Sequence, residues 1–128
     1  MLEIIFNDNI TNCNSLFDEC SNIISLDFSN FDTSNVTDMS YIFSQCNKLK
    51  EIKGINKFIT DKVINMNTMF GKCYELEYLN LTNFNTSNVT DMFGTFNKCH
   101  KLKEIKGINK FITNQVTNMG GMLMNVMN

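Results

Sequence analysis

Four cysteines, Cys20, Cys46, Cys73 and Cys99, recur at steps of 26, 27 and 26 residues, and each lies three residues after a phenylalanine (Phe17, Phe43, Phe70, Phe96). Thiolates bind metals and exchange disulfides. Zinc needs ligands converging from different directions, usually a close Cys-x-x-Cys pair joined by a second pair or by histidines. Here every cysteine stands alone in its segment. Stacked segments would hold them about 5 Å apart and pointing the same way. Parallel side chains of this kind rarely meet disulfide geometry even where the distance allows it. The expectation is four buried, reduced, metal-free thiols that fill space as small apolar groups.

The remaining reactive residues carry no catalytic constellation. His100, the only histidine, follows Cys99 directly. Neighbours on a helix point about 100° apart, which argues against a Cys–His dyad. Acidic residues are spread along the chain, with no pair isolated among apolar neighbours. No phosphate loop, nucleophile elbow or triad spacing is present. No enzyme and no cofactor are expected.

The elements that must hold these residues repeat. Asn35-Val36-Thr37-Asp38-Met39 returns as Asn88-Val89-Thr90-Asp91-Met92, and residues 48–60 return unchanged as 101–113, both 53 residues later. A fixed period indicates stacked supersecondary units rather than a fold around one unique pocket. Each unit has two halves. In the first, Ile23, Leu26, Phe28 and Phe31, then Leu76, Leu79, Leu81 and Phe84, follow LxxLxLxxF. Its Leu-x-Leu step puts two side chains on one face of a short strand. In the second, Val36, Met39, Ile42, Phe43 and Cys46 are spaced as one stripe of a helix of two to three turns. Asn35 or Thr37 would cap it, with Asp38 near the positive end of its dipole. Cys13 takes a methionine position of this stripe, and Thr95 replaces an apolar residue in the unit ending at Cys99. The longer units insert Gly54 and Gly107, read as bulges at positive φ. The fold expected is an α/β leucine-rich-repeat solenoid of 26–27-residue coils, each a short strand plus a short helix. Residues 1–128 form a single domain with a partial first coil, four main coils and the start of another.

Phe31-Asp32-Thr33-Ser34-Asn35-Val36-Thr37-Asp38-Met39 and its second copy at 84–92, each followed by Phe-x-x-Cys, resemble the BspA-type (Treponema-like) leucine-rich repeats. The resemblance covers essentially the whole chain. It departs at 58–63 and 111–116, where the Ser-Asn of the Thr-Ser-Asn core is replaced by Asp-Lys and by Asn-Gln. It implies a curved α/β solenoid used in surface adhesion and protein binding, with no catalytic residues. By the same resemblance the protein belongs at a cell surface, yet residues 1–10 have neither the basic start nor the apolar run of a signal peptide.

Composition narrows the partners. A net charge of −2 and a pI near 5.3 offer no basic stripe for nucleic acid. No apolar run approaches the roughly 18–20 residues of a membrane span. Sequons headed by Asn9, Asn35, Asn80, Asn85 and Asn88 track the high asparagine content. A protein partner is the remaining class, and the strand face is where it would bind. Stacking aligns the outward residues of the strands into two columns, Ser25, Glu51, Tyr78, Glu104 and Asp27, Lys53, Asn80, Lys106. Tyr78 is the one aromatic residue there and the natural anchor.

The function expected is a non-catalytic protein-interaction module, by resemblance a surface or adhesin protein. The alternative is a structural subunit docked in a large assembly such as a virion or cell envelope. Both ends leave core positions open (Leu2, Ile5, Ile10 and Cys13; Met122, Leu123 and Val126), which points to self-association or docking to another chain.

Overall fold

The computed structural model describes residues 9–126. Four three-residue strands follow one another: β1 (Ser25–Asp27), β2 (Glu51–Lys53), β3 (Tyr78–Asn80) and β4 (Glu104–Lys106). β1 pairs in parallel with β2, and β3 with β4, to give two separate two-stranded sheets. Further along each segment, Asn12, Asp38, Asn65, Asp91 and Asn118 form successive parallel bridges.

The α/β leucine-rich-repeat solenoid expected from the sequence is not what the chain forms. No α-helix is present among the described residues, and the regular structure is confined to the two small sheets and two 3-10 turns. The second half of each segment, expected to be helical, closes instead into consecutive tight turns. The N–H of Leu16 donates to the carbonyl of Cys13, and that of Cys20 to Phe17. Between them Ser15 and Glu19 take φ of 57° and 63°, the left-handed geometry that a type II turn needs at its third residue. Later segments repeat this at Tyr41 and Gln45, at Thr68 and Lys72, at Gly94 and Lys98, and at Gly121 and Asn125.

The reason lies in where the backbone hydrogens go. A helix would satisfy its amides internally. Here every second N–H donates to the neighbouring segment: Met39, Tyr41, Phe43 and Gln45 reach the carbonyls of Asn65, Asn67, Met69 and Gly71 at 2.8–3.0 Å. The side chains concur, because Ser, Thr, Asn and Gly compete for local hydrogen bonds or favour turns. Asp38 is accordingly no helix-dipole partner. Its carboxylate accepts the Ser40 N–H at 2.8 Å, an Asx turn that Asn12, Asn65, Asp91 and Asn118 repeat in their own segments.

Gly54 and Gly107 do adopt positive φ, 79° and 87°, but they enter 3-10 turns at Ile55–Lys57 and Ile108–Lys110 where bulges were expected. A Cβ on Gly54 would lie 2.6 Å from the Ser29 nitrogen, so only glycine passes the backbone of the preceding segment.

The core runs between the segments. Phe43 stacks on Phe17, Phe70 on Phe43, and Phe96 on Phe70, with centroids 6.4, 5.5 and 5.5 Å apart. Phe28 meets Phe17, Phe43 and Phe58 edge-on at 5.4–5.7 Å, the arrangement the ring quadrupole prefers. The Phe-x-Thr step supplies a buried hydroxyl at Thr33, Thr60 and Thr86. Thr33 Oγ1 donates to the Ile59 carbonyl and accepts the Ile59 N–H, at 3.0 and 2.8 Å. Thr60 does the same with Asn85, and Thr86 with Ile112. One side chain thus replaces a backbone pair where no strand continues.

Candidate functional site

The cysteine positions and the exposed face of the strands are the two places where the sequence gathers chemistry. Cys46, Cys73 and Cys99 are fully buried and Cys13 nearly so, whereas Cys20 is only half-buried, against the expectation for it. Each of the first three lies behind the phenylalanine of the previous segment. Cys46 Sγ donates to the Phe17 carbonyl at 3.3 Å, Cys73 to Phe43 at 3.2 Å, and Cys99 to Phe70 at 3.1 Å.

Burial penalises the thiolate and is the main cause pushing Cys46 and Cys99 up to about 12 and Cys13 to about 11. At Cys13 the Asp38 carboxylate adds to this, and at Cys46 so do Cys20 and Asp18. Cys73, the most enclosed, is driven in the same direction. Protonated thiols hydrogen-bonded to carbonyls are neither nucleophiles nor metal ligands. No group of three or more His, Cys, Asp or Glu side chains is placed to hold a metal ion among the described residues. His100 lies face to face with Tyr74 at 5.1 Å on the surface, turned away from any pairing with Cys99.

The strand face is exposed throughout. Ser25 and Asp27, Glu51 and Lys53, Tyr78 and Asn80, Glu104 and Lys106 all point to solvent, while Leu26, Ile52, Leu79 and Ile105 turn inward. The register sets Ser25 beside Glu51, Asp27 beside Lys53, Tyr78 beside Glu104 and Asn80 beside Lys106. The columns are interrupted, however. No ladder joins β2 to β3, because the chain leaves β2 through Gly54 into the 3-10 turn. Asn83 Nδ2 donates to the Asn56 carbonyl of that turn at 2.8 Å. The eight residues therefore form two patches of four.

Charge within each patch is locally balanced. The Asp27 carboxyl is lowered by the Ser29 hydrogen bonds and, to a smaller extent, by Lys53 and Lys57. Lys103, which the outward columns left out, reaches Glu77 Oε2 at 3.1 Å, and its Nζ lies 5.8 Å from the centre of the Tyr78 ring. That is the outer range of a cation–π contact. Ile24, 58% exposed, was also passed over. Its position is filled by Lys50, Glu77 and Lys103 in the later segments, so the apolar exception was visible in the alignment of segments.

A family model described as "Mycoplasma protein of unknown function, DUF285" matches residues 8–128. No curated protein matches the chain. No solved structure does either. No helix among the described residues is long and apolar enough to cross a membrane.

Proposed function

We propose that this chain, which belongs to the family described as Mycoplasma protein of unknown function, DUF285, is a non-catalytic protein-interaction module that binds through the strand face. Its finer kinship, with the BspA-type repeat proteins, is part of the same proposal and rests on the Phe-x-Thr-Ser-Asn-Val-Thr-x-Met motif at 31–39 and 84–92.

The observation that carries the reading is Tyr78. It is 58% exposed on β3, fixed in register beside Glu104, and flanked by the Lys103–Glu77 pair. An aromatic ring held on rigid backbone loses little conformational freedom on binding, and tyrosine is among the residues that dominate interface energetics. The charged groups around it would set orientation and association rate more than affinity.

The test begins with crosslinking from the native source to obtain the partner. Tyr78→Ala should then weaken that partner's binding by roughly tenfold or more, the order of an interface anchor, with the melting temperature unchanged. Unchanged affinity would reduce the face to exposed, solubilising sheet.

A further inference from the structure

The turn half of each seam between segments is polar in direction. At each one, four alternate N–H groups of one segment donate to four alternate carbonyls of the next: Cys13, Ser15, Phe17 and Glu19 to Asp38, Ser40, Ile42 and Ser44, at 2.9–3.0 Å. The same four-bond seam recurs three more times, the last from Met92, Gly94, Phe96 and Lys98 to Asn118, Gly120, Met122 and Met124. Two half-seams remain. The N–H groups of Met119, Gly121, Leu123 and Asn125 meet no acceptor among the described residues. The carbonyls of Asn12, Asn14, Leu16 and Asp18 meet no donor among them. Along these turns one edge offers only donors and the other only acceptors, with the spacing of the internal seams, while one further bond of each seam runs the opposite way, as from the Thr37 N–H to the Thr11 carbonyl at 2.8 Å.

We propose that the donor edge of one copy of this chain docks on the acceptor edge of a second, head to tail. A donor row cannot pair with a donor row, so a two-fold contact between like edges is excluded. A contact between unlike edges that continues the stacking of the internal seams adds each copy in line with the last, and gives a growing string of copies. The apolar groups agree on which edge needs cover. Leu123 stands in the Phe43, Phe70 and Phe96 position yet is 52% exposed, where those three are fully buried. Docking would bring it over Phe17 of the next copy, as Phe96 lies over Phe70. This contact does not use the Tyr78 face, so it stands or falls separately from the function proposed above.

Light scattering across a concentration series, on the full chain, is the experiment. The expected result is a mass that rises past two chains of 14.7 kDa each without a plateau. Leu123→Lys, a change at an exposed side chain, should weaken self-association at least about tenfold and leave the circular dichroism spectrum unaltered. Because that variant keeps its acceptor edge, adding it to the unmodified chain should shorten the assemblies. Tyr78→Ala should assemble normally. A monomer at every concentration, a plateau at two chains, Leu123→Lys that assembles normally or fails to shorten the string, or loss of assembly in Tyr78→Ala would each overturn the proposal.

Discussion

Residues 48–60 and 101–113 are the same thirteen amino acids in two places, and they do not have the same environment. Their local structure agrees. Both carry a strand of sequence Glu-Ile-Lys, a left-handed glycine and a 3-10 turn. Their burial differs. Phe58 is 2% exposed and Ile52, Ile55 and Thr60 are buried, whereas Phe111, Ile105 and Ile108 are partly open and Thr113 is exposed. Phe58 has Phe84 stacked on it at 6.3 Å, and Thr60 exchanges two hydrogen bonds with Asn85. Nothing among the described residues plays those parts for Phe111 and Thr113. Local conformation thus follows from a segment's own residues and the segment before it, while the segment after it supplies burial.

Truncation is the harshest way to break this comparison. Phe58→Ala should cost about 3–5 kcal/mol, the range for a buried aromatic. Phe111→Ala should cost about 1 kcal/mol, since less of the ring leaves water. Urea titrations of the two variants give the difference directly, and equal losses would break the comparison.

The glycines sharpen it from the other side. Alanine at Gly54 or Gly107 would place a Cβ 2.6 Å from the backbone of the preceding segment, at Ser29 and Thr82 respectively, and in left-handed φ. Both segments have a predecessor, so both substitutions should destabilise alike, by about 2–3 kcal/mol. A large difference between them, by thermal melting, would show that the effect travels from the exposed edge.

Thr60→Val removes a buried hydroxyl and strands the Asn85 N–H and carbonyl, at a cost of about 1–3 kcal/mol. Thr113→Val, at an exposed position, should change stability by no more than about 0.5 kcal/mol. Chemical denaturation of the pair measures this smaller asymmetry.

At neutral pH the buried thiols should show the smallest effect, with none on stability. Their folded pKa values lie above the ordinary thiol value of 9.0, reaching about 12 at Cys46 and Cys99. The proton is held more tightly in the folded chain, so this stability is fully present below pH 9. It drains as the pH rises toward the folded values. A pH series of urea midpoints should therefore be flat in this respect up to about 9 and fall beyond it. Alkylation of the native protein should reach half-buried Cys20 before Cys46, Cys73 or Cys99.

Much of the strand half was legible in the residues. The Leu-x-Leu step put Leu26 and Leu79 inward and Ser25, Asp27, Tyr78 and Asn80 outward, because period two alone fixes the face of a strand. The other half misled. A spacing of 3, 3, 1 and 3 fits a helical stripe, and it also fits consecutive tight turns that return the same residues to the interior. Gly94 and Gly121, four residues before Lys98 and Asn125, mark left-handed positions that a helix would not need. Position within the stack is invisible to local pattern, which is why two identical sequences could not announce different burial. The division of the candidate face in two was hidden for a similar reason: Gly54 signalled positive φ but not the turn that separates β2 from β3.

Native-state hydrogen exchange resolved by residue tests the central claim most directly, made on the Leu123→Lys chain so that no second copy covers the edge. Amides of 52–60, enclosed on both sides, should exchange only through global unfolding. Their sequence twins at 105–113 should exchange through local opening, at least about a hundredfold faster, wherever global stability exceeds about 3 kcal/mol. Equal protection of the two segments would contradict the account, because it would place their stability in the thirteen residues they share and not in the segment that follows.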